Sequence, residues 1–132
     1  MIRLACLAFA VAAGPALAQQ AVPAPEYFVT TVMETSTAQI LAVNCSTLSV
    51  NPAEMAKRTD SVLQRLTEDG FEQETLVDQM QDPTEAIAAL QDAFVARHGL
   101  RDGADQATVC AAGKVEIAEG TGIGALLLEV DG

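Results

Sequence analysis

The sequence has one histidine, His98, and only seven lysines and arginines against 18 aspartates and glutamates. A single imidazole cannot build a histidine-based metal centre, and any histidine-dependent base would have to be this residue. Scarce basic charge excludes another class, because so acidic a surface is repelled by phosphate backbones and by anionic lipid. Nucleic acid is therefore not an expected partner; a basic protein or a cation is compatible. No apolar run reaches the ~20 residues of a membrane-spanning helix. Also missing are a Cys-x-x-Cys pair, a serine in a nucleophile-elbow motif and acidic residues at the alternate positions of an EF-hand loop. No cofactor or metal is implied.

What is present begins with an export signal. Met1-Ile2-Arg3 carries one positive charge, and Leu4 to Ala13 form an apolar stretch of about ten residues that Gly14-Pro15 ends. Ala16-Leu17-Ala18 then supplies small residues at the positions read by signal peptidase, so cleavage is expected between Ala18 and Gln19. Residues 1–18 are thus expected to be removed, which places residues 19–132 in the periplasm or outside the cell with no remaining membrane span. Only Arg3 among the charged residues leaves with the signal.

Three cysteines are present. Removing Cys6 leaves Cys45 and Cys110, 65 residues apart, in an oxidising compartment where one pairing is available. A bridge closing so long a loop contributes on the order of 4 kcal/mol in the chain-entropy model, less where native strain or denatured-state structure intervenes.

Residues 19–25 contain Pro23 and Pro25, lack periodicity and read as a flexible lead-in to one helical domain over 26–132. Tyr27, Phe28, Val32, Ile40, Leu41 and Val43 predict a helix over 26–44 despite four threonines. Asn51-Pro52-Ala53-Glu54 is a helix start, followed by Met55, Thr59, Val62, Leu63 and Leu66 on one face and by a terminal Gly70. A short helix is expected near 72–80. Asp82-Pro83-Thr84-Glu85 repeats the start signal before the stripe Ala86, Ile87, Leu90, Ala93, Phe94, which ends at His98-Gly99. A last helix starts near Asp105. Beyond Glu119, glycines 120, 122 and 124 leave either a helical turn or an extended segment. No alternating strand pattern occurs, so the expected class is all-α: four to five helices tied by one disulfide.

Gly120-Thr121-Gly122-Ile123-Gly124 invites comparison with phosphate-binding loops, but it follows a helix and no Walker-type lysine comes after it. Close packing or a bend is the expected use. His98, beside Gly99, is expected to complement the helix dipole. Glu68, Asp69, Glu72 and Glu74 around Gly70 are expected to form a solvated junction.

Read as a unit, Thr108 to Leu127 resembles the C-terminal signature of DUF5333, a family of small exported bacterial proteins of unknown function. The resemblance rests on Gly113-Lys114-Val115-Glu116-Ile117-Ala118 and on Gly120 with Ile123-Gly124-Ala125-Leu126-Leu127. It implies a signal peptide and an upstream cysteine near the end of the first helix, where Cys45 stands, but no activity. Ser46-Thr47-Leu48 replaces acidic residues associated with that family.

Three functional classes follow. The first is a non-enzymatic exported protein that binds an unknown protein partner, in an oligomeric state the sequence leaves open. The second is an acid- or stress-responsive holdase, whose 18 carboxylates lose their solvating charge on protonation. The third is a carboxylate-dependent hydrolase, which needs two acids converging in one pocket.

Overall fold

The computed structural model describes residue 14 and residues 20–132, so the expected signal, Cys6 and the Ala18–Gln19 junction lie outside the described residues. The described residues fold as six α-helices and one two-stranded sheet: α1 (Glu26–Val43), β1 (Leu48–Val50), α2 (Pro52–Glu68), α3 (Leu76–Gln79), α4 (Thr84–His98), α5 (Gln106–Glu119), α6 (Gly122–Ala125) and β2 (Leu127–Glu129). A 3₁₀ turn, Gln73–Thr75, leads into α3.

Threonine lowers the propensity of α1, yet the helix persists because five other elements pack against it; Thr31 and Thr35 satisfy their hydroxyls on the carbonyls of Tyr27 and Thr31 at 2.8 Å. Its buried residues Val29, Thr37, Ala38 and Leu41 fall at helical spacing. At the start of α2 the Asn51 side chain accepts from the Glu54 N–H and Pro52 fills the first turn. At its end Gly70 takes φ 90°, allowing the Phe71 N–H to reach the Leu66 carbonyl at 2.9 Å. Helix α4 begins one residue later than the Asp82-Pro83 signal implies. Pro83 is the cap, and the Asp82 carboxylate accepts from the Thr84 N–H and hydroxyl.

The first helix is the hub, packing against β1, α2, α4, α5 and α6. Ala38, Leu41, Cys45, Leu48, Phe94, Ala112, Ile123, Leu126 and Leu127 form one buried cluster. The Cys45–Cys110 disulfide, Cα–Cα 5.2 Å, ties the exit of α1 to the first turns of α5 beside it.

Two segments differ from the expectation. The tail after Glu119 is both a helical turn and an extended segment: α6 leads into β2, which pairs antiparallel with β1, Leu48 opposite Glu129 and Val50 opposite Leu127. Strands of three residues are too short to display alternation. The lead-in is also docked. Val22 donates to the Gln79 carbonyl at 2.9 Å and accepts from the Gln81 N–H at 2.8 Å. Because α3 stops at an extended Met80, the flanking backbone groups are open for pairing, and Val22 is the residue before Pro23 with an N–H to offer.

Candidate functional site

The buried carboxylate of the core, Glu116, sits beside the turn between α5 and α6. Asp105 caps the start of α5 by accepting from the Thr108 N–H, and Gly120 ends the helix in the left-handed conformation at φ 65°. Thr121 then opens α6 by accepting from the Gly124 N–H at 3.0 Å. The inward face of α5 carries Ala112, Gly113 and Glu116, a spacing of one turn that brings a carboxylate into the interior.

Glu116 is only 2 % exposed. A buried carboxylate requires hydrogen-bond donors or opposite charge to offset its desolvation. It has three: the His98 Nε2 at 2.6 Å, the Thr121 hydroxyl, and the Arg97 guanidinium at 3.4 Å. A carboxylate only accepts, so His98 Nε2 carries the proton of that bond. The imidazole packs against Phe94, ring centroids 4.6 Å apart, one helical turn back on α4. Arg97 also bonds Glu119, whose carboxylate pushes the guanidinium still further above its ordinary range. His98, expected as a complement to the helix dipole, instead faces a partner on another helix.

A second carboxylate closes on the same turn from α1. Glu34 pairs with Arg58 of α2, and Arg58 reaches the Gly122 carbonyl at 3.5 Å. A Cβ on Gly122 would lie 2.0 Å from the Glu34 carboxylate, and one on Gly124 would lie 2.0 Å from the Glu116 carbonyl. These two glycines therefore let α1 and α5 approach the turn. The glycine-rich stretch serves close packing, Gly122 against the Glu34 carboxylate and Gly124 against the backbone of α5. A cavity of about 290 Å³ separates Glu34 from Glu116, with Met33, Leu90 and Phe94 in its wall.

A model of a family of unknown function (DUF5333) matches residues 20–128. The chain belongs to this family. No curated protein and no solved structure matches it. In this DUF5333 chain the signature residues occupy distinct places around the turn. Gly113 brings α5 onto β1, where an added Cβ would meet the Leu48 side chain at 2.3 Å. Lys114 is exposed, Ile117 packs on the core, Ile123 and Leu126 are buried, and Gly120, Gly124 and Glu116 shape the turn itself.

Sequence reasoning did not identify Glu34, Arg58, Arg97, His98 and Thr121 as one polar group. The available signal was a glutamate at i+4 from Ala112 within an apolar helical face. Chemically, both acids of the cavity already bond an arginine, which is the arrangement of structural ion pairs rather than of a free acid and a free base. Among the described residues, no group of three or more histidine, cysteine or acidic side chains is placed to hold a metal ion, and no helix is long and apolar enough to cross a membrane.

Proposed function

We propose that the protein is an exported, periplasmic accessory protein that binds another protein and does not itself catalyse a reaction. The observation that carries this reading is a largely apolar groove of about 400 Å³ between α1 and α4, which continues to Leu100 and Val109. Leu41 and Phe94 form its floor, and Ile40 stands at its lip 56 % exposed. Grooves of this kind take an apolar segment of a partner more readily than a polar metabolite. Asn44 and Val109, the sequence neighbours of the two disulfide cysteines, line one end of it. Crosslinking in the periplasm, with the wild type and Ile40→Asp compared, tests the proposal. A specific partner captured by the wild type and lost from the variant supports it; turnover of a small substrate with no specific partner rejects it. Mass spectrometry of the exported protein should find Gln19 first and no free thiol.

A second reading, the acid-responsive holdase, draws on Glu116. Protonation removes the negative charge that faces His98 and Arg97 inside the core, while the exposed carboxylates lose their solvation. Acidification would then expose apolar surface, detected by dye binding, and protect an aggregating client; absence of both rejects this reading.

A further inference from the structure

A second, open groove of about 510 Å³, lined mostly by polar residues, lies between α1 and α2, away from the apolar one. It exists because α2, although amphipathic, buries only Leu66 along its 17 residues and leaves open space against α1. Arg58 in this groove is committed to Glu34. Arg65 is not. Its guanidinium carbon lies 3.9 Å from the centre of the Tyr27 ring, and among the described residues it pairs with no carboxylate and donates no hydrogen bond. Tyr27 is fixed in turn, its hydroxyl donating to Asp69 at 2.7 Å.

Of the four arginines among the described residues, Arg58 and Arg97 pair with carboxylates and Arg65 and Arg101 do not, and of these two only Arg65 lines the groove. Arg65 is exposed and lines the groove, its stack on a ring held by Asp69 restrains the guanidinium, and the fork of an arginine matches a planar carboxylate. Charge narrows the ligand further. A dianion is opposed by the net charge of −11 and by Glu26 in the same wall. A ligand that carries an ammonium beside its carboxylate has no net charge and gives Glu26 a partner. The groove falls within the roughly 300–1,000 Å³ typical of small-molecule sites.

We propose that the α1–α2 groove binds a small zwitterion, a free amino acid or dipeptide, with its carboxylate on Arg65 and its ammonium facing Glu26. This site is independent of the apolar groove and of any protein partner there. The test is an NMR titration of the purified, oxidised ¹⁵N-labelled protein with alanine, glutamate and alanyl-alanine, each also as its C-amide and N-acetyl form. Saturable shifts centred on Tyr27 and Arg65 are expected, weakened at least about tenfold by either blocking group, since each removes one charge-assisted contact. Arg65→Gln should weaken binding equally with an unchanged melting temperature. No saturable shift with any probe, equal affinity for the blocked forms, or wild-type binding by Arg65→Gln overturns the proposal. The blocked-ligand series needs no variant, so a folding defect in Arg65→Gln leaves the test intact.

Discussion

Over Pro52–Glu68 every local rule agrees on a helix: an asparagine cap, proline in the first turn, an apolar stripe and a closing glycine. Over Gln106–Leu126 the rules conflict, with a glycine inside a helix, a glutamate among apolar residues and three glycines at alternate positions. Burial runs the other way. Helix α2 buries Leu66 alone, whereas the second region buries Ala112, Gly113, Glu116, Ile123, Gly124 and Leu126. Strong local signals are needed where a helix receives little tertiary support, and they are dispensable where neighbours hold the backbone. Residues that break local rules in the second region are the ones its neighbours require.

The sharpest way to break this comparison is to remove Glu116. Glu116→Ala leaves His98 buried and strips the Thr121 hydroxyl and Arg97 of their shared acceptor. Breaking one side of a buried charged network typically destabilises by about 3–5 kcal/mol. Val62→Ala, on the half-buried stripe of α2, should lose under ~1.5 kcal/mol, less than the fully buried value for such a side chain. Denaturant midpoints measure both. Equal losses would show that the turn is no more tightly determined than α2.

This contrast also explains what was legible. Caps, glycine stops and the disulfide depend on local chemistry or on elimination, so the boundaries of α1 and α2, the start of α5 and the Cys45–Cys110 pair could be read from residues, whereas the glycines after Glu119 leave the end of α5 open. The apolar stripe of α4 marks the helix but overstates its burial, since of Ala86, Ile87, Leu90, Ala93 and Phe94 only Phe94 is buried. The polar group was illegible because its members come from α1, α2, α4, α5 and the turn, and nothing local relates Glu34 to Gly122 or His98 to Glu116. Strands β1 and β2 each depend on the other, 77 to 81 residues away in sequence, for their hydrogen bonds.

The next effect separates two glycines of the family signature. A Cβ at Gly124 meets the Glu116 carbonyl, a rigid backbone wall, whereas one at Gly113 meets the tip of the Leu48 side chain, which can rotate away. Gly124→Ala should therefore reach the upper end of the ~1–3 kcal/mol range of overpacking, and Gly113→Ala the lower end. Thermal melts rank them; the reverse order would mean that β1, not the α6 turn, is the rigid partner of α5.

Smaller still, the two helix caps respond differently to acid. Asn51→Ala should remove about 1 kcal/mol from α2 at any pH, because its side chain does not titrate. Asp105, capping α5, accepts from the Thr108 N–H and hydroxyl, and these bonds hold its carboxyl below the usual aspartate value. With the folded value depressed, its contribution is complete above about pH 4, the unfolded value, and disappears as pH falls through the lower folded value. The loss caused by Asp105→Ala should vanish in strong acid while that of Asn51→Ala persists. A cap at Asp105 that remains effective in acid would show that its bonds do not depend on the carboxylate.

The least destabilising test reads the weakly buried side directly. Tyr27 on α1 is the single tyrosine of the chain, and its hydroxyl bonds Asp69, the residue that ends α2. Burial first, then the hydrogen bond to Asp69 and its negative charge, push the phenol up to about 12 from an ordinary value of 10.0. The sign follows from the raised value: the stabilising contribution is complete below the unfolded value near 10 and is lost as pH rises through the folded value near 12. Phenolate absorbance should consequently show one transition near pH 12, moved down but not fully back to the ordinary value by Asp69→Asn, since burial remains. A wild-type transition at the ordinary value would mean that the end of α2 is undocked from α1, and with it the stacked arginine that the α1–α2 groove depends on.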